Sequence, residues 1–135
     1  MAEGTPKTAA QMVAAAKQRV QNLTPEQVEA ELAQGDAVLV DLRESEERAQ
    51  TGAIPDATHV PRGMLEFYAD PASPYHRQEF DPNRRVILHC ASGGRSALAA
   101  ETLQQMGYTN VAHLDGGIRA WQESGRPVEQ VRPKS

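Results

Sequence analysis

The chain has one cysteine, Cys90, and the residues around it have the types and order needed for nucleophilic chemistry. It follows the apolar run Val86-Ile87-Leu88-His89 and precedes Ala91, Ser92, Gly93, Gly94, Arg95 and Ser96. The run reads as a buried strand. Ser96 to Met106 reads as a helix, with Leu98, Ala99, Thr102, Leu103 and Met106 available for packing. A cysteine between a strand's carboxyl end and a helix's amino end lies where open α/β sheets form their sites. Such a helix turns free N–H groups and the positive end of its dipole toward the loop. Gly93 and Gly94 let successive N–H groups converge into an anion nest, and Arg95 adds a permanent positive charge at its rim. This setting favours thiolate over thiol and offers donors to any anion Cys90 carries after attack. A lone cysteine at a strand end is otherwise a small buried hydrophobe. The glycine pair followed by a cation weighs against that, because a purely structural tight turn needs no charge.

A single cysteine also sets limits. Cys90 can form no intramolecular disulfide and no zinc site built on several thiolates. The length of 135 residues fits one domain. Apolar residues make up 39% and charged residues 24%, a composition that buries a core in water. Lys and Arg number 14 against 18 Asp and Glu, a net charge of −4. With no basic run, nucleic acid is not an expected partner. Nor is a membrane, since no stretch reaches the ~18 apolar residues of a span. The run Ala9 to Ala16 is short and continues into Lys17 and Arg19, unlike a secretory leader, so a cytoplasmic location is expected.

The elements that must position Cys90 follow from local pattern. Residues 1–23 read as an extension, with a frayed start at Glu3-Gly4-Thr5-Pro6. A helix is then expected from Thr8 to Leu23, with Met12, Ala16, Val20 and Leu23 near one face. It could pack on the domain or on a second copy. Thr24-Pro25-Glu26-Gln27 is a helix start, with a capping residue, a first-turn proline and a capping-box glutamine; Gly35 ends that helix. Ala37 to Val40 is a nearly continuous apolar run, suited to a strand covered on both faces. A polar helix from Glu44 to Gln50 closes at Gly52, and a short strand lies between Pro55 and Pro61. One or two helical turns follow from Gly63 to Phe67, and the proline-bearing segment from Asp70 to Asn83 is a surface loop. Gly107 marks the end of the helix after Cys90. Val111 to Leu114 is the last strand, and Asp115-Gly116-Gly117 turns the chain into a final helix to Glu123. Trp121 and Ile118 are expected in the core. Strands alternating with helices predict an α/β fold around a mostly parallel sheet.

From Asp41 to about Pro127 the chain resembles the single-domain rhodanese family of sulfurtransferases. The resemblance rests on Asp41-Leu42-Arg43, Gly52-Ala53-Ile54-Pro55-Asp56-Ala57, the loop Cys90 to Arg95, Gly107-Tyr108 with Val111, and Leu114 to Trp121. It implies a rhodanese-like sheet of about five strands flanked by helices. The domain would span residues 24–131, with the helical extension 1–23 before it and a tail at 132–135. It also implies a mechanism. Cys90 takes the outer sulfur of thiosulfate or a persulfide donor, and the Cys90 persulfide passes it to a thiol or to cyanide. The loop N–H groups from Ala91 to Ser96 would hold the persulfide anion, and no cofactor is needed beyond that covalent intermediate. With no second cysteine to resolve it, the acceptor must come from outside, and a protein donor or acceptor is a further expected partner.

Two departures from the family pattern bear on this reading. Ala53 stands where many relatives carry histidine, and Arg95 is the loop's one basic residue, which points away from efficient thiosulfate turnover. The loop is also similar to the cysteine-phosphatase signature, which would imply phosphatase or arsenate-reductase chemistry, but four residues separate Cys90 from Arg95 where that signature has five. The shorter loop suits one sulfur better than a tetrahedral phosphate, although Asp115 could approach as a general acid. A second alternative is a binding or redox-sensing module using the same scaffold, with the N-terminal helix recruiting a partner. Asp41 and Arg43 are read chiefly as a brace at the end of the first strand, with substrate contact the lesser role. His89 should turn its ring away from Cys90 on an alternating strand. Arg62 is a candidate to line the approach to Cys90.

Overall fold

The alternation of apolar runs and capped helices builds one parallel sheet with helices on both faces. The computed structural model describes residues 6–131. Its strands are β1 (Gln21–Leu23), β2 (Ala37–Asp41), β3 (Thr58–His59), β4 (Arg85–His89) and β5 (Val111–Leu114). They lie in the order β1-β5-β4-β2-β3, with every neighbour pair parallel. The helices are α1 (Ala9–Arg19), α2 (Pro25–Gln34), α3 (Ser45–Thr51), α4 (Leu65–Ala69), α5 (Gly94–Gln105) and α6 (Gly117–Glu123), and a 3-10 turn at Arg62–Met64 precedes α4.

Two apolar layers result, because successive residues of a strand face opposite sides. Val38, Val40, Val86 and Leu88 pack on one face with Leu65, Ala99 and Leu103. Leu39, Ile87, Ala112 and Leu114 pack on the other with Val28, Ile118 and Trp121. The central strands β4 and β2 are therefore apolar on both sides, as their continuous runs predict. Trp121 and Ile118 are core residues, and the indole N–H donates to the Pro127 carbonyl at 2.7 Å.

The local signals before β2 act as expected at α2. Thr24 and Gln27 form a capping box around Pro25, and Gly35 closes the helix at φ 86°. The helix expected through Leu23, however, ends at Arg19. The Asn22 side-chain amide donates to the carbonyls of Lys17 and Val20, at 2.9 and 3.2 Å, satisfying acceptors that a continuing helix would have used. The backbone then turns extended and pairs Gln21, Asn22 and Leu23 with Ala112, His113 and Leu114. The stretch read as an extension thus supplies one of the sheet's two edge strands. Met12 is half-exposed, while Ala16, Val20 and Leu23 are buried.

The same helix docks on its own chain. Arg19 pairs with Glu101 at 2.7 Å, Lys17 with Asp115 at 3.0 Å, and Gln104 donates to the Arg19 carbonyl. The other bounds shift by a few residues. Helix α5 begins at Gly94 rather than Ser96, and the short helix after Pro61 runs on to Ala69. Asp70 to Asn83 is a loop of turns anchored by buried Phe80. Residues 3–5 of the expected frayed start and the tail 132–135 lie outside the described residues. Among the described residues no helix is long and apolar enough to cross a membrane.

Candidate active site

Strand β4 delivers Cys90 to the carboxyl edge of the sheet, and α5 starts four residues later. Gly93 makes that short connection possible. It holds φ 108° as the N-cap of α5, and its N–H donates to Cys90 Sγ at 3.2 Å. A side chain there would meet the Gly116 nitrogen at 3.1 Å. Gly94, Arg95 and Ser96 form the first turn, whose N–H groups precede any intrahelical acceptor. Cys90 is 1% exposed, whereas Ser92 is exposed at the mouth of the loop. The Cys90 thiol donates to Ser96 Oγ at 3.6 Å. The loop therefore brings one backbone donor and one hydroxyl to the sulfur.

The backbone of the loop is held from the far side by α6, a support the sequence did not reveal. Ile118 N–H donates to the Cys90 carbonyl at 2.9 Å, and Arg119 N–H to the Ala91 carbonyl at 3.1 Å. The approach is so close that a Cβ on Gly117 would lie 2.5 Å from the Ala91 carbonyl and the Cys90 oxygen, at a φ of 63°. Gly117 is thus the residue that lets α6 seat against the loop. Its trace in the sequence is the pair Gly116-Gly117, for which a turn alone is sufficient explanation.

Arg95 does not stand as an unengaged charge at the rim. Glu47 of α3 fills its guanidinium fork, with oxygens at 2.7 and 2.8 Å. Arg95 hydrogen bonds hold the Glu47 carboxyl at about 2 despite its partial burial. The same pair raises Arg95 above its ordinary range. Arg62 is likewise engaged elsewhere, 2.9 Å from Glu66 and 3.4 Å from Thr102.

Asp41 and Arg43 are buried and form a brace. Arg43 grips both Asp41 oxygens through Nε and Nη2, at 3.1 and 2.9 Å, and also donates to the Gly52 carbonyl and Thr51 Oγ. Arg48 adds a donor to Asp41 Oδ2 at 3.0 Å. Burial alone would raise the Asp41 carboxyl, but the Arg43 hydrogen bonds and the surrounding positive groups outweigh it and hold it at about 2. The middle and the C-terminal end of α3 are thereby tied to the end of β2, and Leu42 N–H reaches the His89 carbonyl beside Cys90 at 2.9 Å. His89 lies toward this brace, with Nε2 3.8 Å from Asp41 Oδ2. Burial lowers its pKa, against the opposing pull of Asp41.

A second buried histidine, His113, carries no local signal in the sequence, because it sits inside an apolar strand run. Its Nδ1 is 2.8 Å from Ser96 Oγ and its Nε2 is 2.7 Å from Asn22 Oδ1. Burial pushes it down to about 4 from 6.5, opposed by Asp115 and reinforced by Lys17. A depressed histidine keeps the fold neutral where the unfolded chain is protonated, so stability is full above about 6.5 and falls as pH drops toward about 4. The loss attributable to His113 is about 3 kcal/mol across that window. Asp41, also depressed, gives a further loss between about 4 and about 2. Urea unfolding at stepped pH should show this decline, and a flat profile from neutrality to about pH 4.5 would contradict it.

A cleft of about 270 Å³ borders the loop at Ala91 and is lined by Arg43, Gln50, Thr51, Ile118 and Arg119 among others. Among the described residues, no group of three or more His, Cys, Asp or Glu side chains is placed to hold a metal ion.

A parallel sheet with a cysteine, a glycine-capped turn and a helix N-terminus at its carboxyl edge defines an α/β domain with a thiol site. The model of the rhodanese-like domain matches residues 24–124, and the chain belongs to that family. It is 40% identical over 93 residues to a sulfurtransferase of Allochromatium vinosum, covering 69% of this chain and 78% of that protein. A Rhodopseudomonas palustris protein, described as of unknown function and a possible tyrosine phosphatase, superposes with a TM-score of 0.85 at 40% identity, over 93% of this chain and all of that one. The human single-domain sulfurtransferase TSTD1 superposes with a TM-score of 0.67 at 28% identity, over 77% of this chain and 96% of that one.

Proposed function

We propose that the protein is a sulfurtransferase that carries a sulfane sulfur as a persulfide on Cys90. The observation that carries this reading is the Gly93 N–H aimed at Sγ from the start of α5. A donor in that position stabilises anionic sulfur, whether thiolate or persulfide. In the first half-reaction the thiolate attacks the outer sulfur of the donor. A sulfur–sulfur bond forms to Cys90, the donor's own bond to that sulfur breaks, and the leaving group departs with its electron pair as sulfite or a thiolate. In the second, a thiol or cyanide attacks the terminal sulfur and returns Cys90 as thiolate. The acceptor is external, because the chain has no second cysteine.

The Arg95–Glu47 pair bears on the donor. Thiosulfate presents a sulfonate that calls for a cation, and the loop's one basic side chain is already neutralised. We therefore favour a persulfide on a small thiol or on a partner protein as the donor, reached across the cleft beside Ala91, in a cytoplasmic setting. The same pairing weighs against phosphatase chemistry, which needs that arginine for a tetrahedral dianion.

Two separate half-reactions require ping-pong kinetics. Double-reciprocal plots against donor at several acceptor concentrations should be parallel. Lines converging on one point would mean that both substrates must be bound together, and would remove the persulfide intermediate from the scheme.

A further inference from the structure

The cleft beside Ala91 is lined by three charged side chains, Arg43, Glu47 and Arg119, and two of them are already matched. Arg43 is spent on Asp41, and Glu47 on Arg95. Arg119 is exposed, and among the described residues no ion pair includes it. The nearby Asp115 is turned to Lys17 at 3.0 Å. The walls of the cleft are therefore net positive, although the chain as a whole carries −4.

The backbone fixes where that charge stands. Arg119 N–H holds the Ala91 carbonyl at 3.1 Å and Ile118 N–H holds the Cys90 carbonyl at 2.9 Å, so the start of α6 and the backbone of Cys90 form one unit. Cys90 is 1% exposed and the cleft meets the loop at Ala91, so an anion held by Arg119 lies to one side of Sγ, not over it. An anion joined directly to the transferred sulfur, as in thiosulfate, would have to sit over Sγ. One several bonds from that sulfur, such as the carboxylate of a cysteine derivative, reaches the side. The remaining walls suit the rest of such a molecule. Gln50 and Gln122 bring exposed amides, which can donate to and accept from peptide groups. A volume of about 270 Å³ admits a small molecule and no folded partner.

We propose that Arg119 selects the sulfur donor by binding the carboxylate of a small, cysteine-derived persulfide in this cleft, with Gln50 and Gln122 bonding to its amide groups. Arginine suits the task, being permanently charged and forked to match a carboxylate. The proposal rests on Cys90 being the working thiol, and it narrows the donor class to small carboxylated thiols.

The test compares two thiol reagents on the full chain, carboxyethyl and hydroxyethyl methanethiosulfonate. In both, the Cys90 thiolate attacks the alkyl-bearing sulfur, a disulfide forms, and methanesulfinate leaves with the bonding electron pair. Each rate is divided by that of the same reagent with free cysteine, and the readout is the carboxyl-to-hydroxyl ratio, which a general disturbance of the loop does not move. The ratio should exceed one in the parent and shrink as salt is added. Arg119→Gln should lower it by about tenfold, and Arg119→Lys should keep most of it. A parent ratio at or below one, a Cys90 that takes neither reagent, or a ratio that Arg119→Gln leaves unchanged, equal slowing of both reagents included, would overturn the assignment. No sulfur is transferred here, so the assignment can fail while Cys90 still carries sulfur, and hold where it does not.

Discussion

Cys90→Ser is expected to remove sulfur transfer altogether, by at least about a thousandfold, while leaving the fold in place. Serine differs from cysteine by one atom, so the close fit at this buried position is kept and Gly93 N–H still has an acceptor. A hydroxyl, however, is neither thiophilic nor ionised at neutral pH, so the sulfur–sulfur bond cannot form. The expected pattern is unfolding close to that of the parent, within about 1 kcal/mol, with turnover at background. Residual turnover near the parent level would exclude Cys90 as carrier.

Asp41→Ala has the largest expected effect on stability. Arg43 is 1% exposed and both its Asp41 contacts would vanish, leaving a buried guanidinium held only by Thr51 and the Gly52 carbonyl. Removing one partner of such a pair costs about 3–5 kcal/mol, against about 5–15 kcal/mol for a whole domain. The variant should unfold at markedly lower urea. Asp41→Asn should lose less, because it keeps the shape and can still accept hydrogen bonds. A cost below about 1 kcal/mol for Asp41→Ala would show that water replaces the carboxylate and that the brace is dispensable.

The parts of this site legible in the sequence are those set by near neighbours. Val86 to Leu88 could only be a strand, Gly93-Gly94 could only loosen the backbone after Cys90, and Thr24 to Gln27 announce a helix within four residues. The pairing of Asp41 with Arg43 is legible too, since residues two apart at a strand end share one face. What escaped depends on pairs far apart in the chain. The partner of the rim charge Arg95 is not legible, because Glu47, 48 residues earlier, gives no local sign of its approach. Gly117 and His113 are explained by the loop they touch, and nothing beside them in sequence names that loop. Gln21-Asn22-Leu23 is too short and too polar to show a strand period, so the pattern of α1 ran on through it. Its identity as a strand comes from β5, about 90 residues away.

The central claim is that Cys90 carries sulfur, and the intact mass of the reduced protein tests it most directly. After incubation with excess thiol persulfide, and separately with thiosulfate, the persulfide sample should gain one sulfur atom. That gain should be removed by cyanide or by a thiol and be absent from Cys90→Ser. No gain from either donor, or a gain that Cys90→Ser also shows, would contradict the account.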